Sequence, residues 1–263
     1  MKKNIKLVVT DIDGTIMKIN EDLEPKTIAT FEQLKAAGIK VVIATGRMYI
    51  AAQNIVQTLN LGTPLICYQG AMIQDANKIY FEQSVPKITA GSIIDDLRSY
   101  NAHINLYIRD RLIVENDDKY IKEYAGDRTI PYEVVPDIKA ELGDATKLLA
   151  IDEDADKVTK IRDDMRKKYP ALNIVKSTDY YCEFVNNKAD KGIAIKFLAD
   201  MWKIKRDEIL AIGDQDNDIE MIKAAGVGVA MGNGSPAIKA AADYICQPVD
   251  EFGFSQTMEK FVL

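Results

Sequence analysis

Histidine occurs once in the 263 residues, at His103. A single imidazole excludes any catalytic pair or metal site that needs two. The three cysteines, Cys67, Cys182 and Cys246, are widely spaced, odd in number and form no C-x-x-C. Reduced thiols in a cytoplasmic protein are therefore expected. Long apolar runs are also missing: stretches such as "VVIA" at 41–44 are far too short to cross a bilayer. The opening "MKKNIKLVVTD" is basic like a secretory leader, but Asp11 and Asp13 cut its apolar stretch short, so no leader is expected. Positive charge is not in excess either. A net charge of -6 argues against a broad nucleic-acid surface, though not against a local cationic pocket. No G-x-S-x-G, H-E-x-x-H or G-x-x-x-x-G-K-[ST] is present. Whatever chemistry the chain performs falls to carboxylates, lysine, hydroxyls and backbone.

What is present is an ordinary globular balance, 47% hydrophobic and 28% charged, in a chain long enough for one large or two medium domains. Short apolar strands alternate with helices at both ends of the chain. "KLVVT" leads to "EPKTIATFEQLKAAG", where Pro25 suits a helix start, Ile28, Phe31 and Leu34 share a face and Gly38 suits the end. "IKVVIATGR" reads as a second strand, followed by a helix over 48–59, and "PLICYQGA" as a third strand. Later come a helix in "KGIAIKFLADMW", a strand in "EILAIGDQDND", a helix in "IEMIKAAG", a strand in "VGVAMGNG" and a helix in "PAIKAAAD". All-apolar strands in this alternation predict a doubly wound, mainly parallel α/β sheet covered on both faces.

The middle of the chain follows another rule. Helices are predicted over 88–100, 117–125 and 154–168, with strands in "INLYI", "LIVE", "KLLAI", "NIVKS" and "YYCEFV". Hairpin-like strand pairs predict a mostly antiparallel sheet with helices on one face. The expected organisation is a discontinuous α/β domain, residues 1–84 and 187–263, with an α+β domain over 85–186 inserted into it.

In open α/β sheets, ligands bind beyond the carboxyl ends of the strands. The notable polar residues stand there: Asp11 and Asp13 after the first strand, Thr45 and Gly46 after the second, Asp214, Asn217 and Asp218 after a late one. Lys191 opens the helix after the insert. Two carboxylates two residues apart at the end of a buried strand repel each other and lose hydration, so a hard cation held by oxygen ligands is the natural compensation. Each feature also has a plainer reading. Asp11 and Asp13 could be a solvated D-G turn, Thr45 could cap the next helix, and Lys191 could be a surface lysine. "GDQDND" could be a calcium loop, but it lacks the later Gly and Glu spacing of an EF-hand. "GVGVAMGNG" offers no G-x-G-x-x-G before a helix and reads as core strand and turn. Their order at successive strand ends favours one shared site.

"DIDGT" at 11–15, "ATGR" at 44–47, "DKG" at 190–192 and "GDQDND" at 213–218 resemble the four motifs of the haloacid dehalogenase superfamily. More narrowly, the chain resembles the Cof-type sugar-phosphate phosphatases that carry an α/β cap of type IIB. The resemblance implies that Asp11 attacks phosphorus to form an aspartyl-phosphate and that Asp13 is the general acid and base. It implies Mg²⁺ held by Asp11, the Asp13 backbone carbonyl and Asp214, with Asp218 on its waters. Thr45, Gly46 and Lys191 would hold the transferring oxygens, with Asn217 supporting phosphate or Lys191. Arg47 either meets substrate or stabilises its loop, and Thr15 shapes the first loop.

The expected activity is hydrolysis of small phosphorylated metabolites, sugar phosphates foremost, with no nucleic-acid or membrane partner. A phosphotransferase or mutase would use the same residues, and a non-enzymatic phospho-ligand sensor is the remaining alternative. Loss of Asp11 or Asp13 would have favoured that last reading, and both are present. His103 is expected to pack rather than to ligate. Tyr181 and Glu183 should share a strand face opposite Tyr180 and Cys182. Gln69 replaces the asparagine often found in the family's "NGA" turn.

Overall fold

Leu7–Thr10 is a four-residue strand, β1, with every residue buried, as an interior position in a parallel sheet requires. The computed structural model describes residues 4–19, 21–126 and 130–263. The chain divides into two compact units. The first comprises 1–47, 52–81 and 190–263, and the second 48–51 and 82–189.

In the first unit, α1 (Pro25–Ala36) follows β1 and begins with Pro25, whose fixed φ suits the first helical turn. Next come β2 (Lys40–Ile43), α2 (Tyr49–Leu59), β3 (Leu65–Cys67), β4 (Met72–Gln74) and β5 (Ile79–Glu82), of which the first residues of α2 and the last of β5 are counted with the second unit. The predicted third strand ends at Cys67, because Tyr68, Gln69 and Gly70 all take positive φ and turn the chain into β4.

The second unit contains α3 (Lys87–Ser99), β6 (His103–Ile108), β7 (Arg111–Val114), α4 (Lys119–Gly126) and β8 (Glu133–Val134). It continues with β9 (Lys147–Ile151), α5 (Ala155–Lys168), β10 (Leu172–Thr178) and β11 (Tyr181–Asn186). The chain returns to the first unit with α6 (Lys191–Trp202), β12 (Ile209–Gly213), α7 (Ile219–Ala224), β13 (Val227–Ala230), α8 (Pro236–Ala241), β14 (Tyr244–Ile245) and α9 (Gly253–Phe261).

The sheet of the first unit has the order β14-β13-β12-β1-β2 and is parallel throughout. A parallel bridge from Ala44 to Ile66 carries it on toward β3. One face, through Leu7, Val9, Val42 and Ala211, packs on Ile195 and Leu198 of α6 and Met221 and Ile222 of α7. Phe31 of α1 and Phe254 of α9 stack with ring centroids 4.9 Å apart. The register of β1 with β12 pairs Thr10 with Ile212. The loops carrying Asp11 and Asp214 therefore leave the same end of the sheet side by side.

The sheet of the second unit, β10-β11-β9-β6-β7-β8, is antiparallel except for β7 with β8. Ile93, Ile94 and Leu97 of α3 and Val158, Ile161 and Met165 of α5 cover one face, against Ile104, Leu106, Leu148, Ala150, Cys182 and Phe184. The expectation of helices on a single face holds for these two. Helix α4 differs: its Tyr124 ring meets Tyr107 and Tyr181 edge-on, on the face bearing Lys147 and Glu183. Tyr181 and Glu183 thus lie opposite Cys182, as strand alternation requires. His103 is buried, with its ring nitrogens 2.8 Å from Asp118 and from Asn105.

Candidate active site

Strand β1 ends by handing its last carbonyls to neighbouring strands, and Asp11 follows while its backbone N–H still bonds Ile212. The Asp11 side chain is consequently held in the sheet's end wall, only 7% exposed. Gly14 then takes φ +82°, and a side-chain carbon added there would come within 2.4 Å of Asp214 Oδ2. Only glycine lets the first loop close so tightly on the carboxylate that follows β12. Thr15 completes that closure by donating its hydroxyl to Asp214 Oδ1 at 2.8 Å.

Lys191 is fully buried at the start of α6, and its Nζ lies 2.7 Å from Asp11 Oδ1 and 2.6 Å from Asp218 Oδ1. Asp190 caps this helix by accepting from the Ile193 N–H, which fixes where Lys191 begins. The other oxygen of Asp218 accepts from the N–H groups of Asp214 and Gln215. Asp214 also accepts from Gln215 Nε2 at 2.9 Å.

Asp11, Asp214 and Asp218 form a buried group whose ligand oxygens lie within 4.8 Å of one another. Three carboxylates face one ammonium. Burial pulls the Lys191 pKa down, but Asp11 and Asp218 more than reverse this and hold it above its ordinary value, so it is a fixed cation. Desolvation raises the pKa of Asp11 well above the usual carboxylate range; Lys191 lowers it, and Asp218, Asp214 and Asp13 raise it further. Desolvation and Asp218 likewise push Asp214 up to about 6, against the hydrogen bonds from Gln215 and Thr15. The cluster is short of positive charge and offers only hard oxygen donors. Its donor set fits a hard divalent cation.

Asp13 is absent from this group. Its carboxylate takes a two-point grip from Arg47, with Nε 2.8 Å from Oδ2 and Nη2 2.5 Å from Oδ1. The Asp13 carboxylate is thus engaged by Arg47 and not by the acidic cluster. Thr45 is buried after β2; its hydroxyl accepts from the Arg47 N–H, and its carbonyl from the Gln69 N–H. Gln69 lies over Gly46, where an added carbon would meet Gln69 Nε2 at 2.4 Å. Its Oε1 accepts from Asn217 Nδ2 at 2.8 Å.

The structure thus gathers Asp11, Lys191, Asp214 and Asp218 in one network and puts Thr45, Gly46 and Asn217 on another, built around Gln69. Arg47 it places on Asp13. Sequence reading missed the links made by Thr15, Gln69 and Arg47. The D-G-T run was the only local signal for the first. Substituting glutamine for the usual asparagine hinted at the second.

The family model for haloacid dehalogenase-like hydrolases matches residues 8–258. The chain is 29% identical to a 5-amino-6-(5-phospho-D-ribitylamino)uracil phosphatase of Bacillus subtilis (strain 168), over 97% of each chain. It is 26% identical to a pyridoxal phosphate phosphatase of Escherichia coli (strain K12), over 91% of this chain and 92% of that one. A haloacid dehalogenase-like hydrolase from Bacteroides thetaiotaomicron has a similar structure, with a TM-score of 0.88, 27% identity and coverage of 97% of this chain and 99% of that chain. Among the described residues, no helix is long and apolar enough to cross a membrane.

Proposed function

Because the chain belongs to the haloacid dehalogenase-like hydrolases and is a phosphatase, we propose that it hydrolyses small phosphomonoesters, sugar phosphates among them, with Mg²⁺ and through an aspartyl-phosphate on Asp11. The observation that carries this reading is the buried Asp11 carboxylate beside the Lys191 ammonium, with Asp214 and Asp218 completing an oxygen cluster. The relatives' names support the substrate class, since both describe small phosphorylated compounds. Residues 1–84 and 187–263 form the catalytic domain in this reading, and 85–186 the cap domain.

An Asp11 oxygen attacks phosphorus while the bond from phosphorus to the leaving oxygen breaks. Asp13 gives that oxygen a proton, so an alcohol departs rather than an alkoxide. Asp13, now a carboxylate, takes a proton from water as the water oxygen attacks phosphorus and the bond to Asp11 breaks. Inorganic phosphate leaves, and both aspartates are regenerated. Lys191, the Thr45 hydroxyl, the Gly46 N–H and Asn217 hold the transferring oxygens throughout. Asp11, the Asp13 carbonyl and Asp214 would hold Mg²⁺, with Asp218 on its waters. When bound, the ion supplies the positive charge that lets carboxylates and a phosphoryl group share one site.

The test is phosphate release from a panel of sugar phosphates, pyridoxal phosphate, nucleotides and aryl phosphates, with Mg²⁺ and with chelator. Metal-dependent release from small esters is expected. Folded protein that releases phosphate from none, or equally well with chelator, contradicts the reading.

A further inference from the structure

The guanidinium of Arg47 meets the Asp13 carboxylate through two parallel bonds, a geometry that fixes direction as well as distance. Both side chains are partly shielded, with 17% of the Arg47 side chain and 33% of the Asp13 side chain exposed. The backbone of Arg47 is fixed in turn. Its N–H donates to the Thr45 hydroxyl at 3.1 Å, and its carbonyl accepts from the Tyr68 N–H at 3.0 Å. Asp13 is held on its own side by the turn in which the Gly14 N–H bonds the Met17 carbonyl at 2.8 Å. Two hydrogen-bonded loops therefore present the partners to each other across 34 positions of sequence.

We propose that Arg47 is a positioning residue that acts on the reaction through Asp13, rather than an anchor for the substrate's phosphate. The proposal rests on the reading of Asp13 as general acid and base. A carboxylate one residue before a tight turn has two free torsions, and most of their settings aim it away from a leaving oxygen. The Arg47 fork removes that freedom. In the gripped state both Asp13 oxygens are occupied. Gripped at both oxygens, Asp13 is the ionised carboxylate, the form that takes a proton from water; in the acid form that proton sits on Oδ1, which turns from Nη2 to give it to the leaving oxygen while Nε keeps hold of Oδ2. The arginine is then a hinge that keeps the acid within reach. A phosphate anchor would point its fork at the transferring oxygens. Here the fork is spent on Asp13.

The two roles predict different kinetics. A positioned acid matters most when the leaving group is poor, because a good leaving group departs without a proton. A phosphate anchor matters equally for every leaving group. The experiment measures kcat/KM for substituted phenyl phosphates, from 4-nitrophenyl to 4-methoxyphenyl, for wild type, Arg47→Ala, Arg47→Lys, Asp13→Asn and the Asp13→Asn/Arg47→Ala pair.

The loss in Arg47→Ala is expected to grow by about tenfold along the series. Inhibition by inorganic phosphate should stay within about threefold of wild type, and Arg47→Lys, which keeps one of the two bonds, should fall in between. Adding Arg47→Ala to Asp13→Asn should cost little more, since the residue acts through a group already removed. A uniform loss across the series in Arg47→Ala, with weakened phosphate inhibition, overturns the proposal while Asp13→Asn still shows a steep series. A flat series in Asp13→Asn overturns the acid assignment itself. Thermal melting of each variant separates these outcomes from loss of fold.

Discussion

The hydroxyl of Thr15 donates to Asp214 at 2.8 Å, joining residues 199 positions apart. Thr15 stands four residues beyond Asp11, on the loop that Gly14 turns back toward β12. The sequence reading gave Thr15 only a local role in that loop, but the bond reaches across to a carboxylate of the acidic cluster. A partner that orients a metal-binding carboxylate sets affinity more than rate. Thr15→Val should weaken Mg²⁺ binding by about tenfold or more, while activity at saturating metal falls much less. Isothermal titration of the metal, beside activity against Mg²⁺ concentration, checks this. Unchanged affinity would reduce Thr15 to a packing residue.

The raised pKa of Asp214, about 6 against an ordinary 3.8, makes a prediction with a definite sign. The fold favours the protonated carboxyl, so its contribution to stability is fully present below 3.8 and is lost as pH rises through about 6. Metal-free wild type should therefore lose stability relative to Asp214→Asn between pH 4 and pH 7, and Mg²⁺ should restore it increasingly over the same interval. Melting curves with chelator and with Mg²⁺ for both proteins show the difference directly. Parallel pH profiles would mean that Asp214 is not strained in the metal-free fold.

In the second unit, Lys147 and Glu183 form an ion pair at 3.3 Å with side chains 3% and 8% exposed. The Lys147 ammonium also lies 4.8 Å from the Tyr107 ring centroid. Removing Lys147 leaves the buried Glu183 carboxylate without the cation it pairs with. Lys147→Met should cost about 3–5 kcal/mol. Lys147→Met combined with Glu183→Gln should cost clearly less than the two single losses added together. Urea unfolding of the three variants measures the coupling, and simple additivity would contradict it.

Much of the first unit was readable because its physical causes are local. Buried parallel strands are apolar throughout, so β1, β2, β12 and β13 announce themselves, and the acids that follow them fall at the ligand-binding end of the sheet. Other features had no local cause. Helix α9 starts after Phe252, which has φ +59° and no capping side-chain bond, so the usual start signal is missing. Tyr68 and Gln69 take positive φ without being glycine or asparagine, which hid the turn into β4. Strand β8 is two exposed residues beside β7. The Arg47 grip on Asp13 was equally hidden, because a charged side chain in a loop gives no sign of which distant carboxylate it will meet. Sequence pointed to the strand ends, and structure adds the side-chain bonds that link the loops there.

The most direct test of the central claim is to look for the phosphoryl group on the protein itself. A substrate labelled in its phosphate is mixed with enzyme and Mg²⁺, quenched in acid during turnover, and the labelled peptide is mapped. The account predicts label on the peptide containing Asp11, and none in Asp11→Asn, whose nearly isosteric side chain leaves the fold intact but provides no nucleophile. Steady turnover with no protein-bound label, or label that persists in Asp11→Asn, would contradict it.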